Sequence, residues 1–311
     1  RALRPMFPKG MINDVVVSIT PLALDHQLGL GVMHIIGASF SIMAAGIQFD
    51  GPVGAAQIGY LDGEFIVNPT LEQLEKSELN LLVAGKKGSI NMIECEGKEF
   101  PDDLMKKAFD LGQKVIDEAC DWQLEFLKTL EIKTQEITFN KPSEETMQLV
   151  DQVLTAERLE AMAGNTKTPF NELYSQYEKE ALALAAEKAE SEQASEYSDS
   201  KIKMGVFNAI KKFIRSRTIE TGKRIDDRGE LDIRPLYCEI DNLPRVHGSG
   251  LFWRGDTQVL STVTLGGPTD YLVLDDMEHD DVQQRYFHHY NFPPFSTGEA
   301  KAMRGTGRRE I

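Results

Sequence analysis

The chain has 311 residues, 41% of them hydrophobic, and a formal net charge of −15. This composition supports a buried core and excludes a disordered chain. The acidic balance excludes a generally basic nucleic-acid binder, so any contact with a polyanion has to be focal. In chain order, 13–96 has an α/β pattern. It starts with the apolar run Val15, Val16, Val17 and continues with 32–47, rich in small and apolar residues. Short β-like segments follow at 54–60, 64–67, 79–83 and 89–94, separated by Gly, Asn-Pro and Gly-Lys-Lys-Gly turns. The spacing of Leu104, Phe109, Leu111, Val115, Ile116 and Ala119 then predicts a helix over 102–130, with Pro101 near its start.

Between 142 and 213 β signals almost vanish, and Ala, Glu, Leu and Lys dominate. Helices are expected, one capped at Ser143 and one covering 177–197 with an acidic exposed face. Lys201, Lys203, Lys211, Lys212, Arg215, Arg217, Lys223, Arg224 and Arg228 then reverse the charge. This basic stretch is a candidate RNA surface, and a solvated helix face explains such a run equally well. From Asp232 the chain is β-rich again, at 233–240, 256–265, 271–274 and 285–292, punctuated by Gly-Gly-Pro and Pro-Pro. The expected class is α/β (α+β): two partial domains joined by an all-helical connector.

Cys95, Cys120 and Cys238 are odd in number and lack the spacing of a zinc site or disulfide framework, which points to a reducing cytoplasm. No run of about 18 apolar residues suggests a membrane span, and no signal peptide is visible. The chain begins at Arg1 rather than Met and ends on Arg309, Glu310 and Ile311, so it reads as an excerpt of a longer protein.

Several blocks, in order, resemble the bacterial polynucleotide phosphorylase family. They are Arg1-Ala2-Leu3-Arg4-Pro5-Met6-Phe7-Pro8-Lys9-Gly10, Ile36-Gly37-Ala38-Ser39, Phe49-Asp50-Gly51-Pro52-Val53-Gly54-Ala55-Ala56 and Leu82-Val83-Ala84-Gly85. Pro244-Arg245-Val246-His247-Gly248-Ser249-Gly250-Leu251-Phe252, Arg254-Gly255-Asp256-Thr257-Gln258 and His288-His289-Tyr290-Asn291-Phe292-Pro293-Pro294-Phe295-Ser296 follow. The resemblance implies two RNase PH-type domains: 1–135 as the rear of a catalytically silent first copy, 136–215 as the helical connector, and 216–311 as the front of the active second copy. It also implies a homotrimeric ring, single-stranded RNA as substrate, and partners in an RNA-degradation complex. The implied activity is phosphorolytic 3′-to-5′ exoribonuclease action in mRNA turnover. Inorganic phosphate is the co-substrate, and Mg2+ or Mn2+ is the cofactor.

Within the resemblance, Gly305-Thr306-Gly307-Arg308-Arg309-Glu310 matches the block whose paired arginines line the phosphate and the RNA end, so Arg308 and Arg309 are the catalytic candidates. Such chemistry brings an anionic nucleophile to an anionic diester, which calls for charge neutralisation and alignment more than a strong base. Arginine supplies both through a planar fork that keeps its charge. Arg1 and Arg4 correspond to basic residues near the RNA path, a reading that stands level with ordinary surface charge. Tyr290 and Phe292 could stack on bases, but their alternation favours a core. His288 and His289, adjacent on a strand, are not expected to share a metal, and His247 reads as a hydrogen-bonded turn histidine.

The metal-binding carboxylates, lysine and serine-rich phosphate loop of the family's active copy are expected downstream, leaving no metal ligands here and an inactive excerpt. In the first copy, Gly29-Leu30-Gly31-Val32-Met33 stands in place of the serine run, and Asn80 and Leu82 in place of a carboxylate and the lysine. Asp227 replaces a usual glycine. The rival reading is a non-catalytic RNA-binding or scaffolding ring member. A hydrolytic nuclease would need clustered carboxylates, and none stands out.

Overall fold

The computed structural model describes residues 1–25, 27–192, 197–278, 280–302 and 307–310, with 190–192 and 307–310 as backbone alone. The chain divides into two compact units: 1–9, 13–137 and 266–311 form one, and 10–12 with 138–265 the other.

In the first unit, helix α1 (Gly31–Ala44) is followed by β1 (Gly54–Leu61), β2 (Glu64–Val67), the short helix α2 (Leu71–Lys76), β3 (Leu79–Lys86), β4 (Ser89–Gly97) and the long helix α3 (Asp102–Leu127). The strands form an antiparallel sheet in the order β2-β1-β3-β4. Alternate residues of β1 and β3 serve two clusters. Ala56, Ile58, Leu79, Leu81 and Val83 pack with Ala108, Ile116 and Cys120 of α3. Ala55 and Ala84 pack with Val32 of α1, Ala2 and Met6.

Helix α3 buries Ala108, Gly112, Ile116, Cys120, Gln123 and Leu127, residues three or four apart, as a stripe along one face requires. Two glycines let it come close. A Cβ on Gly54 would stand 2.6 Å from the Ile116 carbonyl oxygen, and one on Gly112 would stand 2.6 Å from a Val83 methyl. Helix α2 was not expected from the sequence. Its start is a capping box in which Thr70 Oγ1 accepts from Gln73 N–H at 3.2 Å and Gln73 Oε1 accepts from Thr70 N–H at 2.9 Å.

The apolar run 15–17 forms no regular element, and Val16 is 90% exposed. Three β-branched residues supply strand propensity but no pairing partner, and propensity without pairing does not make a strand.

In the second unit, α4 (Glu144–Val153) starts at the expected cap, with Ser143 Oγ accepting from Thr146 N–H at 3.2 Å. Helices α5 (Ala156–Ala161), α6 (Lys167–Glu192) and α7 (Asp199–Thr221) follow, the last running past the expected limit to Gly222, whose φ of 67° closes it. Tyr177, Ala181 and Ala185 of α6 meet Ile202, Val206 and Ile210 of α7, together with Leu149 and Val150 of α4. Both stripes have the four-residue spacing of a helix face.

The chain then forms a meander of β5 (Leu236–Ile240), β6 (Gly248–Arg254) and β7 (Thr257–Val263). Back in the first unit, β8 (Leu272–Leu274) pairs with β9 (Val282–Gln284), and β10 (His289–Asn291) with β11 (Gly307–Glu310). Strand structure in the expected segment 285–292 is confined to β10. Tyr290 and Phe292 are half-buried rather than core residues, their rings 6.0 Å apart and nearly parallel on one side of the strand.

Candidate functional site

The positions equated with a phosphate loop and its chemical partners come together in the first unit. Leu30 N–H, at the start of α1, donates to Glu278 Oε1 at 2.5 Å, and Gln57 Nε2 donates to Asn80 Oδ1 at 2.9 Å. A Cβ on Gly29 would lie 3.4 Å from that Glu278 oxygen, and one on Gly31 would lie 3.7 Å from Leu82 Cδ2. A helix start attracts an anion, and here the anion is the chain's own carboxylate. Amides from Gln57 and Asn80 and the apolar Leu82 complete the arrangement, so these side chains offer a phosphate neither a hydroxyl nor a cation.

Arg1 forms an ion pair with Glu94 on β4, which holds it against the sheet edge. Arg4, in a short 3-10 turn at Arg4–Met6, is exposed and has no ion pair among the described residues.

The backbone of Arg308 and Arg309 lies in β11, with Arg309 opposite Tyr290 and Gly307 opposite Asn291. The ladder therefore skips Arg308 and forms a bulge there. Their side chains, like Arg304, Gly305 and Thr306, lie outside the described residues.

The basic stretch splits into two kinds of residue. Arg217, only 13% exposed, donates to Asp227 Oδ1 at 2.7 Å and to Glu160 Oε1 at 3.3 Å. The Asp227 hydrogen bond raises its pKa above the ordinary arginine value, with Glu160 adding to it. Arg224 donates to the Glu230 and Asp232 carbonyls, and Arg228 to Asp226 Oδ2 at 2.8 Å and the Asp232 carbonyl at 3.0 Å. These three arginines order the turn after α7. Lys203, Lys211, Lys212 and Arg215 remain exposed on the helix, with Lys211 Nζ 5.7 Å from the Phe207 ring centre.

Asp227 has a φ of 62°, the left-handed region where glycine is usual. Its carboxylate pairs with Arg217, which offsets the backbone cost of the substitution.

His247 Nδ1 accepts from Leu265 N–H at 2.7 Å, tying the start of β6 to the segment after β7. His288 and His289 are exposed, and Phe287 and His289, two residues apart, make an edge-on ring contact at 5.2 Å. Among the described residues, no group of three His, Cys, Asp or Glu side chains converges as a metal would require. The three cysteines are free thiols. Cys120 is buried, and that burial raises its pKa. No described helix is long and apolar enough to cross a membrane.

Two family models match the chain: "3' exoribonuclease family, domain 2" over residues 51–115, and "3' exoribonuclease family, domain 1" over residues 232–311. The helices α4 to α7 fall between them. A polyribonucleotide nucleotidyltransferase of Gloeobacter violaceus is 39% identical over 328 residues, covering 100% of this chain and 44% of that protein. Proteins of the same name from Natranaerobius thermophilus and Thermus thermophilus are 36% and 34% identical, again over 100% of this chain and 44% of their own length. The chain thus spans less than half the length of these relatives. Two matched domains with helices between them, and similarity running from end to end, make the chain similar to polyribonucleotide nucleotidyltransferases, with stretches that match both domains of the 3′ exoribonuclease family.

Proposed function

We propose that this chain is part of a phosphorolytic 3′-to-5′ exoribonuclease, a polyribonucleotide nucleotidyltransferase that cleaves RNA with inorganic phosphate and releases nucleoside diphosphates. The observation that best supports this is the order of the matched domains. Domain 2 precedes domain 1, as it would where the rear of one RNase PH-type copy is followed by the front of the next. On this reading 1–135 belongs to the first copy, 136–215 is the connector and 216–311 belongs to the second.

Arg308 and Arg309 are assigned to the reacting phosphates. Two guanidinium groups in succession supply paired donors and fixed positive charge, lowering the repulsion between the attacking phosphate and the diester and holding the two in line. The backbone bulge in this pair is a common device for aiming side chains at a site. Arg4, exposed and unpaired among the described residues, suits a role in guiding RNA better than Arg1, whose charge is engaged by Glu94. The first copy is assigned no catalysis, because Gln57, Asn80, Leu82 and Glu278 stand at the start of α1. A divalent cation, Mg2+ or Mn2+, assists the reaction. The described residues hold no cluster that fits it, so no step is assigned to it here. Assembly as a homotrimer in the cytoplasm, turnover of mRNA and association with RNA-degradation partners complete the reading.

Replacing Arg308 and Arg309 together by alanine in the full-length protein should abolish phosphorolysis while circular dichroism and assembly state stay as in the parent. Parental turnover in that variant would remove the pair from the site.

A further inference from the structure

Helix α7 carries a run of charge that runs against the rest of the chain. From 200 to 219 there is no Asp or Glu, and Lys201, Lys203, Lys211, Lys212, Arg215 and Arg217 all fall in that stretch, bounded by Asp199 and Glu220. In a chain of net charge −15 this is a local reversal.

The fold sorts these residues. Ile202, Val206 and Ile210 turn into the helical core, and Arg217 is engaged by Asp227 and Glu160. Lys203, Phe207, Lys211 and Arg215 follow one another at the four-residue interval of a helix face, and all four are exposed, as is Lys212. The row from Lys203 to Arg215 spans about 18 Å of helix.

Two features of this face are unfavourable in water. Lys211 and Lys212 stand four and three residues before Arg215, spacings at which like charges destabilise a helix. No acid lies within four residues of any of the three. Helices α4 and α6 pack on α7 and bring carboxylates of their own, yet Lys203, Lys211, Lys212 and Arg215 form no ion pair among the described residues. Helix α3 shows the ordinary solution: its exposed Lys106, Lys107 and Lys114 each have Asp103, Asp110 or Glu118 three or four residues away. The second feature is Phe207, which sits between Lys203 and Lys211 and is 51% exposed, forgoing the stabilisation of burial.

A partner that relieves both needs closely spaced negative charge and flat rings free to stack. Single-stranded nucleic acid has both, in its phosphates and its unpaired bases. An acidic peptide would meet the cations but leave the ring without a matching face, and a duplex keeps its bases stacked on each other.

We propose that the exposed face of α7 is a docking surface for single-stranded RNA, with phosphates on Lys203, Lys211, Lys212 and Arg215 and a base stacked on Phe207. It uses none of the residues assigned to phosphorolysis and rests on that reading only for the choice of RNA as the polymer.

The test titrates the 311-residue chain into a short labelled oligouridine, followed by fluorescence anisotropy at a series of salt concentrations. Replacing Lys211, Lys212 and Arg215 together by alanine should weaken binding about ten-fold at low salt. It should also reduce the slope of log affinity against log salt by about 2, since each phosphate contact on a single strand contributes about 0.7. The same replacement removes like-charge repulsion, so this variant should unfold no more readily than the parent. Phe207→Ala should weaken binding about ten-fold with the salt slope unchanged, and Phe207→Trp should keep the parental affinity. The matched control, alanine at Lys106, Lys107 and Lys114 of α3, alters net charge equally and should change affinity by less than about two-fold.

The proposal is overturned if the α7 variants bind as the parent does, if the α3 control loses as much, or if the parent binds no RNA. Polyglutamate bound as tightly as RNA would make the face a dock for acidic protein and would overturn it too. Phosphate-dependent release of nucleoside diphosphates by the full-length protein is a separate readout, so failure of the phosphorolytic reading and failure of this one are told apart.

Discussion

The sheet β1–β4 and the sheet β5–β7 are both antiparallel, and both are rich in apolar and β-branched residues, yet their burial is opposite. Ile58, Leu79, Leu81 and Val83 are fully buried, whereas Leu236, Phe252, Leu260 and Val263 are between 42% and 54% exposed. The difference lies in what covers each sheet. Helix α3 follows β4 directly and presents a six-residue buried stripe at the right spacing, while α1 lies against the other face through Val32. No described helix buries a comparable stripe on β5–β7, whose one buried residue is the polar Ser249. Strand alternation marks residues that are able to be buried, and a covering layer decides whether they are.

The strongest way to break this comparison is in the covered sheet. Leu81→Ala or Ile116→Ala should each cost about 2–5 kcal/mol in denaturant unfolding, because each leaves a cavity between sheet and helix. Values near zero would mean that α3 does not pack as described. Gly54→Val should cost about 1–3 kcal/mol, since the new side chain meets the Ile116 carbonyl only 2.6 Å from its Cβ. Asp227→Gly should change stability by less than about 1 kcal/mol, because relief of the left-handed backbone and loss of the Arg217 ion pair oppose each other. Leu260→Ala, on the uncovered sheet, should stay within about 0.5 kcal/mol. A loss as large as that of Leu81→Ala would show that β5–β7 is covered after all.

A smaller, pH-dependent term belongs to Asp226. Its folded pKa is lowered, so the stability it contributes is present above the unfolded value of about 4 and is lost as pH falls through the folded value. Asp226→Asn should therefore flatten the acid side of the stability profile by at most about 1 kcal/mol. An unchanged acid limb would show that the Arg228 pair contributes nothing.

The same comparison shows how much the sequence discloses. Spacing alone located β1 to β4, α3 and the Ser143 start of α4, because each is a local pattern with a local stop signal. Helix α2 has only six residues, too few to show a helical period, so its one sequence signal is the capping-box spacing of Thr70 and Gln73. Strand β6 is not marked as a strand by its sequence, since Gly248 and Gly250 lower its strand propensity, and its pairing on both sides to β5 and β7 is a tertiary fact.

Of the candidate sites, Arg308 and Arg309 are proposed through a contiguous block of the family resemblance. The convergence of Asn80 and Leu82 on the start of α1 was legible only through the family resemblance. For α7 the run of positive charge was legible, but which of its cations stay without an ion pair, and that Phe207 stays exposed among them, follow only from how the helix packs.

The most direct test of the proposed function uses the full-length protein with a short RNA and Mg2+, with and without inorganic phosphate, and identifies the released nucleotides. Nucleoside diphosphates that appear only when phosphate is present are the predicted result; nucleoside monophosphates, or equal release without phosphate, would contradict it.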